Sequence, residues 1–392
     1  MKALEGIRIL DLSRMVAGGI AGMLLADFGA DVVKVEQPEA GDPLRQWTSE
    51  GRALWWKVYA RNKRFITLNL KSSAGRDLLL RMLPNYDVLM ESFVPGTLER
   101  LGLDWDTLRA HHSGLILLRI SGWGQTGPDS SRPGFGTLVE AASGFAEMNG
   151  EPNGGPIVPS FPLADSVSAL YATNAIMFAL HHRDKHGGTG QMIDLSLFES
   201  LFSLLGPLSA EYAALGSLRR RNGSRSRNAG PRGCYQTSDH GWIAVSGSTP
   251  KMAERFLRAY GLEKLLEDPR FANNAARVTH SGDLDDEVGR AIASRTLAEN
   301  VAIIEANQLT AVPVQTIADI EADPHWKVRA LTVDVPNGTG GVRMHNVVPR
   351  LSDSPGEIRW AGGDLGQDNE AVYSALGLTC EEQRRLRTDG VI

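Results

Sequence analysis

The chain has 392 residues, of which 42% are hydrophobic and 22% charged, so it can bury a core and is not globally disordered. Its net charge of −5 argues against a general nucleic-acid-binding protein. The two cysteines, Cys234 and Cys380, lie far apart, which excludes a disulfide framework and favours a reducing compartment. Charged residues and a proline interrupt the longest apolar region, 197–218, so we expect a cytoplasmic protein without a membrane span.

The first half of the chain alternates strand patterns with helical patterns. Apolar strand patterns occupy 7–13, 31–36, 64–70, 87–93, 115–124 and 191–197, and helical patterns occupy 73–86 and 165–188. This alternation predicts an α/β fold with a largely parallel, doubly wound sheet. An irregular Gly/Ser/Arg-rich stretch at 219–233 marks a change of character, and we expect a second, smaller domain at about 230–320.

The segment 15–38 looks like the start of a dinucleotide-binding unit. Ala17, Gly19 and Gly22 occupy the positions of the glycine fingerprint, and Glu36 lies where an acid would bind ribose hydroxyls. The first glycine is replaced by alanine, however, and a long excursion rich in Arg and Trp follows Glu36. The residues alone therefore leave two interpretations open, a nucleotide site and a tight turn that packs a helix closely on a sheet.

Six blocks of sequence carry a more specific resemblance. They are 9–45 (ILDLSRMVAGGIAGMLLADFGADVVKVEQPEAGDPLR), 61–83, 87–109, 120–135 (ISGWGQTGPDSSRPGF), 150–172 (GEPNGGPIVPSFPLADSVSALYA) and 368–392. Together, in this order, they closely resemble the family III coenzyme A transferases, the CaiB/BaiF family.

The resemblance implies an architecture, an assembly and a ligand. Both ends of the chain, 1–220 and 330–392, would form a large Rossmann-like CoA-binding domain with a parallel sheet, and 230–320 a small α+β domain. Two chains would interlock as a homodimer. Coenzyme A and its acyl thioesters would be substrates, with no metal, nicotinamide or flavin, and no nucleic acid or membrane as partner.

Asp165 is the candidate catalytic residue. From the residues alone, an Asp before a helical pattern is more simply an N-cap. The resemblance assigns it the role of nucleophile, because the family places its catalytic aspartate in this PLAD context. A helix N-terminus stabilises negative charge, so we expect the carboxylate to be ionised at neutral pH. It would attack an acyl-CoA, form an aspartyl-CoA thioester and pass CoA to a small carboxylic acid.

The resemblance also suggests residues that contact CoA and the reacting carbonyl. The expected CoA contacts are Val16, Ala17, Gln37, Leu68, Lys71, Ser92, Phe93, Arg100 and Arg132. Gln37 and Ser92 depart from residues that are common in the family. Two glycine loops, 121–127 and 246–249, could supply backbone N–H groups to an oxyanion, with Gly247 and Ser248 as the candidates in the second. Ordinary surface positions and strand-end turns remain the alternatives.

Two other functions compete with CoA transfer. An acyl-CoA racemase of the same superfamily needs a titratable group to move the α-proton, but Phe135 stands where such enzymes carry histidine. A catalytically idle CoA-binding protein is the other alternative. The acceptor acid is not identified by the sequence: the tryptophans could line an apolar acceptor pocket or pack in the core. These are Trp47, Trp55, Trp56 and Trp123.

Overall fold

A computed structural model describes residues 2–338 and 340–392 of the chain. Its strands are β1 Arg8–Asp11, β2 Asp31–Glu36, β3 Arg64–Thr67, β4 Val88–Glu91, β5 Ile116–Ser121, β6 Met192–Ser196, β7 Arg232–Gln236, β8 Trp242–Ser246, β9 Ala311–Pro313, β10 Thr332–Asn337 and β11 Gly340–His345. Its α-helices are α1 Ala17–Asp27, α2 Leu54–Tyr59, α3 Ser73–Met82, α4 Thr97–Arg100, α5 Trp105–His111, α6 Gly136–Ala142, α7 Phe145–Met148, α8 Leu163–Lys185, α9 Leu197–Ser203, α10 Leu208–Leu215, α11 Pro250–Ala259, α12 Asn274–Thr279, α13 Ser281–Ala293, α14 Leu297–Ala306, α15 Ile317–Ala322, α16 Pro324–Val328, α17 Asn369–Ala375 and α18 Cys380–Thr388. Short 3₁₀ helices occupy Pro43–Gln46, Leu83–Asn85 and Glu263–Leu266.

The first compact unit contains residues 1–145, 158–207 and 329–392 and is built on a six-stranded sheet. The strand order is β3-β2-β1-β4-β5-β6, and all neighbouring strands are parallel. In the register, Leu10 of β1 faces Val33 of β2 on one side and Leu89 of β4 on the other. The prediction of an α/β fold with a parallel sheet is confirmed. Reversal of the order at β1 creates the crevice where such sheets bind ligands.

Apolar side chains cover both faces of this sheet, as buried parallel strands require. On one face, α1 and α8 pack together over a core that includes Ile9, Val32 and Ile116. On the other face, α3 and α17 pack over a second core that includes Leu10 and Val33. The helix predicted over 73–86 ends at Met82 as an α-helix and continues as a 3₁₀ turn, because Pro84 lacks the N–H for a further helical bond.

The segment after β11 closes the outer edge of β3. The Phe65 N–H donates to Asp368 Oδ2 at 2.7 Å, and the Thr67 N–H donates to Asn369 Oδ1 at 2.8 Å. Farther along, the Asn69 N–H donates to the Val391 carbonyl at 2.8 Å. These bonds satisfy backbone groups that an edge strand would otherwise leave open to pairing with another chain.

The second compact unit contains residues 146–157 and 208–328. Its antiparallel sheet has the order β7-β8-β9, and α11, α13 and α14 bury Phe256, Leu284 and Ile304 in a separate core. These bounds differ from the expected 230–320, since the unit starts earlier and includes a segment from the first half of the chain. Arg221 of the arginine-rich stretch holds that segment through an ion pair with Glu147 at 2.7 Å.

Helix α8 is long and apolar enough to cross a membrane by length and composition, and it alone meets that test within the described residues. In the structure it is buried along part of its surface, while Leu170 and Phe178 are exposed. Ala169, Ala172 and Ile176 are completely buried, and α8 packs against α1 and α9.

Candidate functional site

The N-terminal end of α8 opens on a cavity of about 440 Å³, which we call the Asp165 chamber. All of its lining belongs to the first compact unit. The lining residues are Met15, Val16, Trp47, Trp55, Phe135, Gly136, Thr137, Pro159, Ser160, Phe161, Pro162 and Asp165. The chamber therefore combines one carboxylate with walls that are mostly aromatic and aliphatic.

Asp165 is not the N-cap of α8, as the sequence suggested, but the third residue of its first turn. The helix starts two residues earlier because Glu140 of α6 supplies the missing cap. Its Oε1 accepts the Ala164 N–H at 3.1 Å, one of the amides that a helix start leaves unpaired. Asp165 itself lines the chamber.

The pKa of Asp165 is raised from 3.8 to about 6. Burial is the largest cause, and repulsion from the Glu140 carboxylate is the second; the N–H groups of Asp165 and Ala17 act in the opposite direction. With this pKa, about nine-tenths of the molecules carry an ionised Asp165 at pH 7. The carboxylate is thus ionised, as expected, but its pKa is raised rather than lowered by its surroundings.

Gly136, at the start of α6, has no side chain, so the backbone at this residue lies close to Asp165. A Cβ atom on Gly136 would lie 2.3 Å from Asp165 Oδ2, far inside van der Waals contact. Any larger residue must therefore displace the carboxylate. Burial, and second to it the charge of nearby Asp165, raises the pKa of the Tyr59 phenol.

A second cavity, of about 230 Å³, lies at the carboxyl ends of β1, β2 and β3, and we call it the nucleotide cavity. Its lining includes the expected residues Gln37, Leu68, Lys71 and Phe93 and the unexpected Arg14. Arg14 and Lys71 bring positive charge, which phosphate groups require. Apolar surface from Leu68 and Phe93 suits a flat base.

The loop 13–16 separates the two cavities: Arg14 lines the nucleotide cavity, and Met15 and Val16 line the chamber. Met15 has a φ of 65°, a left-handed conformation that is uncommon for a residue with a side chain. The Met15 N–H donates to Asp42 Oδ1 at 3.1 Å, which holds the loop in this conformation. Ala17, the first residue after this loop, directs its N–H to Asp165.

A buried charge cluster supports this loop from below, formed by Asp11, Lys34, Asp42 and Lys63. Lys34 Nζ lies 3.1 Å from Asp42 Oδ2, and Lys63 Nζ lies 3.0 Å from Asp11 Oδ2. Lys34 also donates to the Ser13 carbonyl. Although burial acts in the opposite direction, the two lysines lower the pKa of Asp11 below its ordinary value. Two positive and two negative charges therefore compensate each other away from water.

Comparison with known proteins decides the family. The family model described as CoA-transferase family III matches residues 4–369. The succinyl-CoA–D-citramalate CoA-transferase of Chloroflexus aurantiacus is 37% identical over all of this chain and 98% of its own length. The beta subunit of succinyl-CoA–L-malate CoA-transferase from the same organism is 38% identical over 99% of this chain and 98% of its own length. This chain belongs to CoA-transferase family III.

The fold agrees with this family. The crystal structure of a CaiB/BaiF family protein from Brucella suis superposes with a TM-score of 0.85 and 31% identity, covering 96% of this chain and 99% of that one. The chain is therefore an enzyme of the transferase class, and the resemblance stated from the sequence blocks is confirmed.

The structure brings together only some of the positions that the resemblance to family III suggested. Val16 and Ala17 lie beside Asp165, while Ser92 accepts the Arg14 N–H at 2.8 Å next to the nucleotide cavity. Arg100 and Arg132 line neither cavity. Arg100 donates to Thr97 Oγ1 at 2.8 Å, and Arg132 lies over the Trp123 ring near Asp129. Thr97 itself lines the nucleotide cavity, so Arg100 lies next to that cavity, and the assignment of Arg100 and Arg132 as CoA contacts stays a prediction.

Residues of both candidate glycine loops form hydrogen bonds within the chain. In the second compact unit, the Gly247 N–H donates to the Pro231 carbonyl at 2.7 Å, and the Ser248 hydroxyl pairs with Ser246. In the first unit, the Gly124 N–H donates to Ser121 Oγ at 3.0 Å. The N–H groups of Gly247 and Gly124 are therefore engaged within the chain, whatever further role either loop has.

The sequence left two alternatives for the four tryptophans, an apolar pocket or packing in the core, and the structure shows two tryptophans in each kind of position. Trp47 and Trp55 line the chamber, whereas Trp56 is buried and stacks under Arg45, with the guanidinium carbon 3.8 Å from the ring centroid. Trp123 packs against Phe198 with ring centroids 5.8 Å apart. Residues that the sequence did not single out complete the site: Arg14, Gly136 and Glu140.

Proposed function

We propose that this protein transfers coenzyme A from an acyl-CoA to a carboxylic acid through a covalent aspartyl-CoA thioester on Asp165. The observation that carries the proposal is the position of Asp165. An ionisable carboxylate lies in a chamber that a single loop, 13–16, separates from a second cavity, whose Arg14 and Lys71 could bind the phosphates of CoA. The curated relatives are CoA-transferases that use succinyl-CoA by name, and they align over the whole chain.

The nucleotide end and the thioester end of acyl-CoA would occupy different cavities. The phosphates would bind near Arg14 and Lys71, and the pantetheine arm would run along the 13–16 loop into the chamber. The thioester carbonyl carbon would then reach Asp165 Oδ2, which Gly136 leaves accessible. The Ala17 N–H, which points at the carboxylate, would fix the orientation of the attacking group.

Each half of the reaction exchanges one bond for another. An Asp165 oxygen attacks the thioester carbon, the C–S bond breaks, and CoA leaves as a thiolate, so that a mixed anhydride of Asp165 and the donor acid remains. The thiolate attacks Cγ of Asp165, the C–O bond breaks, and the donor acid leaves as a carboxylate. The acceptor carboxylate then attacks Cγ and expels the thiolate. Attack of that thiolate on the acceptor carbonyl restores the Asp165 carboxylate and yields the new acyl-CoA.

Hydroxylamine trapping tests the intermediate. After incubation with an acyl-CoA, hydroxylamine converts an activated carboxyl group to a hydroxamate, which mass spectrometry locates on the peptide that contains residue 165. Asp165→Asn should abolish the hydroxamate and turnover. Asp184→Asn is the matched control, since it changes an exposed aspartate at the other end of the same helix. Unchanged turnover in Asp165→Asn would rule out the mechanism.

We further propose that two copies of the chain associate as an interlocked homodimer. Large apolar side chains are exposed on α8 and α10, among them Leu170, Phe178 and Leu215, and such surfaces commonly mark an interface. Light scattering on the purified chain should give twice the monomer mass of 42.5 kDa. A monomer that gains activity only with a second, different subunit would instead support an assembly of alpha and beta subunits.

A further inference from the structure

We infer that Asp42 is a positioning residue for Asp165, because it holds the turn at Met15 that places the 13–16 loop against the reacting carboxylate. The inference rests on the proposed function, since it concerns the reaction of the same aspartate. Asp42 lines the nucleotide cavity and not the Asp165 chamber. Its effect on Asp165 must therefore pass through the loop that joins the two.

Side chains from outside the loop hold two of its consecutive amides. The Arg14 N–H donates to Ser92 Oγ at 2.8 Å, and the Met15 N–H donates to Asp42 Oδ1 at 3.1 Å. The loop follows β1, while Ser92 follows β4 and Asp42 comes after β2, the two strands that flank β1 in the sheet. The loop is thus fixed from both sides before any substrate binds, as a site that depends on exact geometry requires.

Asp42 can hold the loop because its own side chain is held firmly. It is only 3% exposed, and its Oδ1 also accepts the Leu44 N–H at 2.9 Å. Its Oδ2 lies 3.1 Å from Lys34 Nζ, and its N–H donates to Glu36 Oε2 at 2.8 Å. All of these partners are buried and belong to the same chain. A second copy of the chain that covers the chamber would therefore not replace them.

The bond from Met15 to Asp42 matters because the conformation of Met15 is unfavourable by itself. Its φ of 65° lies in the left-handed region, which a residue with a Cβ atom adopts only when its surroundings impose it. Without its acceptor, the turn would relax towards an ordinary φ and redirect the chain that follows. Val16 lines the chamber, and the Ala17 N–H points at Asp165. A displacement of about 1 Å in such a site slows a reaction about 100-fold.

Two isomeric substitutions at Met15 test the turn without removing a buried charge. Leucine and isoleucine have the same size and apolarity, but branching at Cβ makes isoleucine resist the left-handed conformation more strongly. Adduct formation at Asp165 is measured in the full-length protein with saturating succinyl-CoA at pH 8, where Asp165 is ionised. We expect Met15→Ile to react at least about tenfold more slowly than Met15→Leu. Equal rates overturn the inference but support the proposed function, because an adduct has formed.

Removal of the acceptor tests Asp42 directly. Asp42→Ala should lower the adduct rate at saturating donor at least about tenfold, whereas the matched control Asp27→Ala should retain it. Asp27 is also a buried aspartate, 1% exposed, and pairs with Arg61 at 2.6 Å at the end of α1 opposite to Ala17. If Asp42→Ala retains the wild-type rate, or if both variants lose it equally, the inference is overturned. If Asp42→Ala does not fold, the isomers at Met15 decide.

Glycine at position 15 distinguishes positioning from a general loss of stability. Glycine adopts a φ of 65° without the cost of a Cβ atom, so the turn then depends less on its acceptor. In a Met15→Gly background, Asp42→Ala should lower the rate at most about threefold, and the missing Met15 side chain cancels in this ratio. An equal loss in both backgrounds would show that Asp42 does not act through the turn.

A separate measurement decides the inference if the proposed function fails, that is, if the wild-type protein forms no adduct with succinyl-CoA or other acyl-CoA donors. Burial and Glu140 raise the pKa of Asp165, and the Ala17 N–H lowers it. A displaced loop should therefore leave the pKa of Asp165 higher in Met15→Ile than in Met15→Leu. A carbon NMR titration, with Asp165→Asn to assign the carboxyl signal, measures both values. Identical values overturn the inference.

Discussion

Burial and, second to it, repulsion from Glu140 raise the pKa of Asp165, and the replacement of Glu140 by glutamine tests the second cause. The rise in the pKa of Asp165 from 3.8 to about 6 means that ionising this carboxyl group costs roughly 3 kcal/mol more than ionising an ordinary aspartic acid in water. Burial contributes most, and repulsion by Glu140 comes next. Glu140→Gln removes the negative charge but retains an oxygen that can accept the Ala164 N–H. The variant should therefore keep the start of α8 and lower the pKa of Asp165.

The size of the effect can be bounded. At pH 5 a group with a pKa of about 6 is ionised in about one molecule in ten, so the wild-type adduct rate should be about a tenth of its value above pH 7. Complete return to a pKa of 3.8 would restore almost the whole plateau, a gain of about tenfold. Because the group remains buried, we expect a gain of about threefold at pH 5 in Glu140→Gln and little change at pH 8.

The assay is a single-turnover measurement of CoA release between pH 4.5 and 8.5, with the pKa taken from the midpoint of the rate profile. Glu140→Ala is the comparison, since it removes both the charge and the acceptor for Ala164. A wild-type rate that is flat from pH 5 to 8 would refute the raised pKa. A midpoint that moves upward in Glu140→Gln would refute the assigned repulsion.

Three further changes follow from the site. Asp165→Asn should raise the Tm by about 1–3 °C at pH 7 and not at pH 4. The pKa of Asp165 is higher in the folded protein than the value of 3.8 in the unfolded chain, so ionisation of this carboxyl destabilises the folded protein only at pH values above 3.8. Calorimetry checks both the size and the sign. Gly136→Ala should slow adduct formation at least about 100-fold by displacing Asp165, whereas Gly282→Ala, with open space around it, should not. Asp42→Asn should lower the free energy of unfolding in urea by about 3 kcal/mol, since it leaves Lys34 buried with less compensation; a loss below about 1 kcal/mol would contradict the cluster's structural role.

Local sequence patterns predicted the strands of the sheet well, and the start of α8 and the bounds of the second compact unit less well. The strand at 31–36 agrees with β2 at both ends, because a buried parallel strand is a continuous apolar run between turns. Helix α8 starts before the predicted residue because its cap comes from Glu140, which no local pattern reveals. The placement of 146–157 with the second compact unit likewise depends on contacts such as Glu147 with Arg221, 74 positions apart.

The same distinction holds for the site. Gln37, Leu68 and Lys71 meet because the carboxyl ends of neighbouring parallel strands share one edge, so their positions in the sequence blocks were informative. Arg100 and Arg132 line neither cavity and each has a partner three residues away, and their assignment as CoA contacts stays a prediction. Gly136 and Glu140 approach Asp165 only through the packing of α6 on α8, and a single sequence contains no signal for that contact.

The closure of β3 by the end of the chain has a consequence for biosynthesis. β3 is made early, yet Asn69, just after it and lining the nucleotide cavity, bonds to Gly390, 321 positions later. Between them the ribosome must produce the whole second compact unit. One border of the sheet therefore remains unpaired until residues 368–392 have been made, and an unpaired strand edge is a site at which incompletely folded chains aggregate.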